Sequence, residues 1–218
     1  SISRQNLSIV IVTFKSDDVI DKCIKSIDNE IKIIIIENSN NKKFKEELEK
    51  KYSNVTCILS SKNLGMGSGN NLGINMSDTD YVLILNPDVT LEKTTINELL
   101  LASQKILNFA VLAPISSNTK YPNYKLDNKD DTQDRHDFLY KVISVDGFAM
   151  LFNKKIMNNI LEKENCGQNY FDENFFMYLE NDDLCKRIIN NNQNIFIVPS
   201  SKINHLGAKA VNSKYKNE

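Results

Sequence analysis

Residues 7–39 read LSIVIVTFKSDDVIDKCIKSIDNEIKIIIIENS and contain two apolar runs separated by a helical pattern. The first run, Leu7–Phe14, is β-branched and apolar on both faces, which is typical of a strand covered by helices on both sides. Between the runs, Val19, Cys23 and Ile27 recur at helical spacing after acidic residues. The second run repeats the pattern of a buried strand. This order predicts a βαβ unit, and therefore a sheet with parallel neighbouring strands.

The same alternation of strands and helices continues beyond this unit. We predict helices at Lys42–Lys51, about 68–76, about 91–107 and from Lys154, and strands at Val55–Leu59 and Tyr81–Leu85. Residues 116–143 turn polar and lose periodicity, which predicts a long loop. Order returns with VISVDGFAMLF, the acidic segment FFMYLENDDLCKRIINN and the short strand IFIV. The pattern predicts an α/β single domain over residues 1–218, with a mostly parallel central sheet flanked by helices.

The composition excludes several classes of protein. A chain of 218 residues with 41% hydrophobic content can bury one sizeable core, and a net charge of −1 provides no global basic field for nucleic acid. No apolar run approaches the roughly 18 residues of a membrane helix, so we expect a soluble, cytoplasmic protein. The cysteines are too far apart for a metal-type pair and are expected to be reduced thiols. They are Cys23, Cys57, Cys166 and Cys185.

Polar residues follow each of the first four predicted strands. In an open α/β sheet, ligands bind beyond the carboxyl ends of the strands, so these residues are candidates for ligand contacts. Any one of them also suits an ordinary turn, and their convergence on one sheet edge is what favours a site. The strand-end segments that contain them are Thr13 and Phe14, Glu37 to Ser39, Ser61 to Asn63, and Asn86 to Asp88.

The segment KNLGMGSGNNLGI, residues 62–74, is rich in glycine but does not match the dinucleotide-binding fingerprint. Gly65 and Gly67 fit the first two glycines of G-x-G-x-x-G, whereas Asn70 occupies the third position. A glycine-rich helix start still offers free N–H groups to an anion such as a diphosphate, and Asn70 and Asn71 could add hydrogen bonds. A flexible loop before a helix is the alternative.

Seven segments together resemble family 2 of the glycosyltransferases, which has the GT-A (Rossmann-like) fold. They are VIVTF, ENS, KNLGMGSGNNLGI, LILNPDV, VDGFAMLF, FFMYLENDDLCKR and NHLGA, in that order between Leu7 and about Gly207. The chain is similar especially to the bacterial rhamnosyltransferase-like branch, which builds surface polysaccharides. The resemblance implies a nucleotide-binding half at about 1–115 and an acceptor-binding half at about 116–218. It also implies an inverting transfer from a nucleoside diphosphate sugar to a carbohydrate or lipid-linked glycan acceptor.

The resemblance further implies a divalent cation, Mn²⁺ or Mg²⁺, bound to Asp88 and His205. Family members have an Asp-x-Asp motif at this strand end, and this sequence has Asn86 in the first position. The amide retains a carbonyl oxygen, and hard oxygen ligands suit these ions. Without the family, His205 would be read as a surface histidine.

The donor site implied by the resemblance includes the ends of the first two strands. Glu37 occupies a position that is usually Asp, and it could also be only a turn acid. The full set of predicted nucleotide-sugar contacts is Thr13, Phe14, Glu37, Asn38, Asn63, Gly65, Gly69, Asn70, Asn86, Asp88 and Gly147.

The acidic motif is the largest departure from the family. An inverting transferase needs a carboxylate to accept the proton of the acceptor hydroxyl. Family members use the first Asp of Glu-Asp-x-Asp, and this chain has Asn181 there. We predict Asp182 as the base, with Glu180 and Asp183 as further catalytic candidates. The same acids could simply favour a helix N-terminus.

Two other functions stay open at this stage. The amide at Asn181 is compatible with a catalytically weak homologue that only binds a nucleotide sugar. A sugar nucleotidyltransferase is disfavoured, because the first strand continues into TFKSDD rather than a glycine-rich loop. The sequence does not assign the oligomeric state or an extension before Ser1 or after the C-terminus. It leaves peripheral association with the inner membrane face possible.

Overall fold

A computed structural model describes residues 2–106, 108–127, 135–136 (backbone only), 139–175 and 179–207 of the chain. Within these ranges, ten strands form one sheet in the order β3-β2-β1-β4-β11-β6-β12-β9-β8, with β5 paired to β12, and β7 and β10 form a separate pair. The strands are β1 (Leu7–Thr13), β2 (Lys32–Glu37), β3 (Val55–Leu59), β4 (Tyr81–Leu85), β5 (Val89–Leu91), β6 (Val111–Ser116), β7 (Tyr124–Lys125), β8 (Arg135–His136), β9 (Leu139–Val142), β10 (Ser144–Val145), β11 (Ala149–Asn153) and β12 (Ile195–His205).

The sheet has a parallel half and a mixed half. Strands β3, β2, β1 and β4 are all parallel, as the βαβ pattern predicts. Strand β11 is antiparallel to both β4 and β6, whereas β12 is parallel to β6 and antiparallel to β9 and β5. The predicted α/β fold class is confirmed, and its parallel strands are concentrated in the half that contains β1.

Six α-helices in the described ranges cover both faces of the sheet. They are α1 (Ile20–Lys25), α2 (Lys42–Lys51), α3 (Gly65–Met76), α4 (Thr95–Lys105), α5 (Lys154–Glu164) and α6 (Glu180–Asn190). Successive residues of a strand point to opposite faces. Ile9 and Ile11 therefore join a core cluster with α1, α2 and α4, whereas Val10 joins a second cluster with α3, α5 and α6.

Helix α3 packs unusually close to the central strand β1, because glycines occupy the contact positions. A Cβ atom on Gly73 would lie 2.3 Å from Val10 Cγ1, and one on Gly69 would lie 2.9 Å from both Val12 methyl carbons. Gly65 begins the helix with a φ of 79°, a left-handed conformation that favours glycine. The segment KNLGMGSGNNLGI thus places a helix directly against the strand, starting three residues before the predicted boundary.

The other differences from the sequence prediction arise from pairing between distant segments. The helix predicted from about residue 91 begins at Thr95, because Val89–Leu91 pairs with β12 instead. Part of the predicted loop 116–143 forms β9, which also pairs with β12. Residues 128–134 and 137–138 of that loop lie outside the described residues. Strand β12 is longer than IFIV and carries a register shift between Val198 and Lys202.

Two further observations concern the thiols and the membrane. All four cysteines are free, and Cys23, Cys57 and Cys185 are buried, as predicted for reduced thiols. In the part of the chain that the structure describes, no helix combines the length and apolarity needed to span a bilayer.

Candidate active site

An open cleft with a volume of about 710 Å³ lies beyond the carboxyl ends of β1 and β4. Its walls come from the β1–α1 connection, the start of α3, the β4–β5 turn, the segment before β11 and the start of α6. The lining residues are Val12, Phe14, Lys15, Ser16, Asp18, Val19, Met66, Asn70, Asn86, Pro87, Asp88, Lys125, Asp146, Gly147, Phe148, Phe171, Glu180, Asn181, Asp182 and His205.

Asp88 and His205 form a pair on one side of the cleft. His205 Nε2 lies 3.2 Å from Asp88 Oδ2. Burial opposes ionisation of Asp88, but the hydrogen bond and positive charge of His205 outweigh it, so the pKa of Asp88 lies below its usual value. The Asp88 carboxylate therefore stays ionised at a lower pH than an ordinary aspartate does.

The pairing of β5 with β12 brings these two residues together. His205 is opposite Val89 in the strand register, and Leu206 N donates to Asp88 O at 3.0 Å. The His205 ring stacks on Phe148, with ring centroids 4.3 Å apart, which fixes its orientation. A Cβ on Gly207 would lie 2.6 Å from Asp88 Oδ2, so a larger residue there would displace the Asp88 carboxylate from its present position.

The first turn of α6 also lines the cleft. Glu180, Asn181 and Asp182 all line it, because the helix begins at Glu180. The Asn181 amide donates to Val145 O at 3.3 Å, and a Cβ on Gly147 would lie 3.3 Å from Asn181 Cβ. The Asn181 side chain therefore holds α6 against the segment before β11.

Two buried acceptor oxygens in the cleft lack a protein partner. Asn70 Oδ1 and Glu180 Oε2 make no hydrogen bond within the described residues, although their side chains are only 4% and 9% exposed. Buried polar atoms are normally hydrogen-bonded, so these two oxygens are exceptions, and both belong to residues that line the cleft.

Asp146 is a cleft residue that the sequence analysis did not select. Partial desolvation, followed by the negative charge of Asp182, raises the pKa of Asp146 above its usual value. Asp146 N donates to Asn123 O at 2.8 Å, which fixes the backbone. Its position inside the motif VDGFAMLF, directly before Gly147, is the signal that could have identified it.

Several predicted site residues lie behind the cleft wall and hold it in place. The Glu37 carboxylate is buried and accepts hydrogen bonds from Ser39 N, Ser39 Oγ and Asn41 N at 2.6–3.1 Å. Asn38 Nδ2 donates to Gly65 O at 3.2 Å. These contacts place Glu37 and Asn38 in the turn after β2 and in the support of the α3 start.

The remaining predicted residues divide in the same way. Asn63 Oδ1 accepts from Gly65 N at 3.0 Å, and Gly69 packs on Val12. Thr13 is fully buried, with no hydrogen bond to its hydroxyl among the described residues. Asp183 Oδ2 lies 3.5 Å from Arg187 Nη1, and Asp183 is not part of the cleft lining. The structure brings together Phe14, Asn70, Asn86, Asp88, Gly147, Glu180, Asp182 and His205.

Comparison with known proteins places the sequence of the chain in a family. The family model described as Glycosyl transferase family 2 matches residues 8–161. The chain belongs to glycosyltransferase family 2. A curated relative, the low-salt glycan biosynthesis hexosyltransferase Agl10 of Haloferax volcanii, is 27% identical over 207 residues, which cover 87% of this chain and 64% of the relative. The family and this relative support glycosyl transfer as the type of reaction.

Solved structures support the GT-A fold of this family 2 member. A crystal structure of GalNAc-T7 with UDP, GalNAc and Mn²⁺ superposes with a TM-score of 0.72 at 13% identity, over 92% of this chain and 44% of that chain. A structure of Staphylococcus aureus TarS residues 1–349 gives a TM-score of 0.59 at 14% identity, over 89% of this chain and 60% of that chain. The chain thus spans less than two thirds of the length of each of these three proteins.

Asp88 and His205 are the two side chains of the cleft whose spacing bears on the binding of a divalent cation. Among the described residues, no three His, Cys, Asp or Glu side chains are grouped to hold a metal ion. Two ligands at right angles on an octahedral ion with bonds of ~2.1 Å would lie ~3.0 Å apart, close to the observed 3.2 Å. The distance between the two side chains therefore fits two neighbouring ligand positions of one ion.

Proposed function

We propose that this family 2 member transfers a hexose from a nucleoside diphosphate sugar to a hydroxyl group of a carbohydrate or lipid-linked acceptor, with inversion at the anomeric carbon. A dTDP- or UDP-linked donor, with rhamnose or another hexose, is the donor class that the sequence resemblance favours. The observation that carries the proposal is the placement of the Asp88–His205 pair and the α6 carboxylates Glu180 and Asp182 in one cleft. We assign surface polysaccharide synthesis as the process that this transfer serves.

The Asp88 side of the cleft would hold the leaving diphosphate. Asp88 and His205 would bind Mn²⁺ or Mg²⁺, and Asn86, which lines the cleft in the same turn as Asp88, could offer a carbonyl oxygen. When bound, the cation stabilises the negative charge that develops on the diphosphate as the glycosidic bond breaks. Phe14 is 49% exposed at the cleft wall, so its ring is available to stack on the nucleobase.

The α6 side would activate the acceptor. Its hydroxyl oxygen bonds to the anomeric carbon as the bond from that carbon to the diphosphate breaks on the opposite face, and the hydroxyl proton passes to a carboxylate. Asp182 is the assigned base, because it lines the cleft beside Asn181, whereas Asp183 faces Arg187. Asp146 is another carboxylate of the cleft, and desolvation, followed by the negative charge of Asp182, raises the pKa of Asp146.

The first test is calorimetric titration with UDP, dTDP, GDP and CMP, with and without Mn²⁺. We expect metal-dependent binding of UDP or dTDP, a loss of the metal effect in Asp88→Ala, and unchanged binding in the exposed control Glu46→Ala on α2. If no nucleotide binds, or if Asp88→Ala leaves both nucleotide affinity and sugar transfer unchanged with Mn²⁺, the proposal is wrong.

A catalytically weak nucleotide-sugar-binding homologue is the second candidate. The observation that favours it is the amide of Asn181 at the usual base position, where it bonds to Val145 O rather than accepting a proton. Clear nucleotide binding without transfer or hydrolysis of any donor would support this candidate over the enzyme.

A further inference from the structure

A second pocket, with a volume of about 380 Å³, adjoins the cleft on the side of α6. It shares two residues with the cleft, Lys125 of β7 and Asp182 of α6. Asp182 therefore separates two spaces, and the Asp88–His205 pair lines only the larger of them. Since the proposed base faces both spaces, a ligand in this α6 side pocket could reach Asp182 without displacing a bound nucleotide.

The chemistry of the side pocket favours an anion next to an apolar group. Lys186 is exposed, four residues after Asp182, and forms no ion pair within the described ranges. Lys125 supplies a second ammonium group, and Ser144 and Asn190 add polar groups. Ile143, which is 39% exposed, and Ile189 supply the apolar surface.

A surface pair between Asp182 and Lys186 is the alternative explanation for the lysine. Such i, i+4 pairs occur on helices, and their contribution is small. The two groups do not approach to ion-pair distance here, although Lys186 is free to do so on the solvent side. Lys186 and Lys125 come from different elements and flank the same pocket, which an intrahelical pair does not explain.

We propose that the α6 side pocket binds an anionic group of the acceptor, such as a phosphate or carboxylate, and so places the neighbouring hydroxyl at Asp182. This inference rests on the proposed function for the identity of the ligand as an acceptor. The two lysines outnumber the single carboxylate of Asp182 in the lining, so the pocket keeps a positive charge that suits a phosphate or carboxylate. Ile143 and Ile189 match an alkyl carrier beside it. The acceptor class is therefore a glycan that is acidic itself or is linked through phosphate to a lipid.

The test is an NMR titration of the protein, followed through its backbone amide shifts. The probes are hexyl phosphate and glucuronic acid, each compared with its neutral counterpart, hexanol or glucose. We expect each bound anion to shift the amides of Ser144 and Lys186, and to bind about tenfold tighter than its neutral counterpart. The affinity should fall with added salt, because the site attracts by charge.

Variants of Lys186 make the test specific. Lys186→Ala and Lys186→Gln should lower the affinity for the anion about five- to tenfold. Lys155 is an exposed lysine of α5 outside both pockets, so Lys155→Ala should leave that affinity unchanged. Tighter binding of hexyl phosphate would identify a lipid phosphate as the source, and tighter binding of glucuronic acid would identify an acidic glycan. Equal binding of charged and neutral probes, or wild-type affinity in both Lys186 variants, would overturn the inference.

Titration of the same samples with UDP and Mn²⁺ separates the two proposals. If UDP binds and the anions do not, the inference that the side pocket binds an anion is wrong, and the proposed donor site stands. If the anions bind with the expected dependence on Lys186 and no nucleotide binds, the pocket stands as an anion site and the proposed transfer fails.

Discussion

Replacement of Gly69 by alanine tests whether this glycine serves packing or ligand binding. The new Cβ would lie 2.9 Å from both methyl carbons of Val12 and 3.5 Å from Asn38 Nδ2. The two Val12 methyl groups occupy two of the three staggered positions about χ1, and both of these positions are close to the new Cβ. Any rotation to another staggered rotamer leaves one methyl group in one of these two positions, so rotation cannot relieve the clash. Helix α3 or strand β1 must shift instead.

The expected cost follows from overpacking of a close helix–strand contact. We expect Gly69→Ala to lower the free energy of unfolding by about 1–3 kcal/mol. For a domain of this size that corresponds to a decrease in Tm of about 3–10 °C. Urea denaturation of the nucleotide-free protein measures the change, and Met76→Ala at an exposed position of the same helix is the control.

A double-mutant cycle shows whether Val12 is the cause. In a Val12→Ala background the clashing methyl groups are absent, so Gly69→Ala should cost at least about 1 kcal/mol less than in the wild type. The packing argument is refuted if the cost is the same in both backgrounds. It is also refuted if Gly69→Ala leaves stability unchanged and weakens only nucleotide binding.

Four further outcomes are expected. Glu37→Gln should lower the free energy of unfolding by about 2–3 kcal/mol, since Ser39 and Asn41 lose a charged acceptor. Weaker nucleotide binding at an unchanged Tm would contradict this expectation. Burial opposes ionisation of Glu164, but the Arg187 hydrogen bond outweighs it and lowers the pKa of Glu164 below its usual 4.5. The stability advantage over Glu164→Gln in pH-dependent urea titrations should therefore be full above that pH and disappear as the pH falls through the lowered pKa; a constant advantage would be inconsistent. Iodoacetamide should modify Cys166 before Cys23, because burial raises the pKa of the Cys23 thiol to about 12. Peptide mass spectrometry measures the order of labelling, and faster labelling of Cys23 would show that its thiol is not buried. Asp182→Asn should lower turnover about 100-fold or more with donor affinity retained, and a larger loss in Asp146→Asn would transfer the role of base to Asp146.

The acidic motif illustrates how far residue types alone can lead. The sequence showed that an amide replaces the usual base and that three acids surround it. It could not show which acids face the ligand, because that depends on where α6 begins and how it docks. The structure places Asp182 and Glu180 in the cleft and directs Asp183 to Arg187.

The strand ends show a similar division. All four ends were recognised as polar, and Phe14, Asn86 and Asp88 line the cleft. Glu37 and Asn38 satisfy backbone and side-chain groups of their own turns. A carboxylate and an amide can serve a turn or a ligand equally well, so only the direction of the side chain distinguishes these roles.

The sequence by itself determined the alternation of strands and helices, the parallel direction of β1 to β4, and the family. These features depend on local periodicity and on motifs whose residues are close along the chain. Only the tertiary structure decided the pairing of β5 and β9 with β12, the contact of Asp88 with His205, the position of Asp146 and the α6 side pocket. Their residues are distant in sequence, and the free energy that joins them comes from hydrogen bonding and packing between segments that have no shared local pattern.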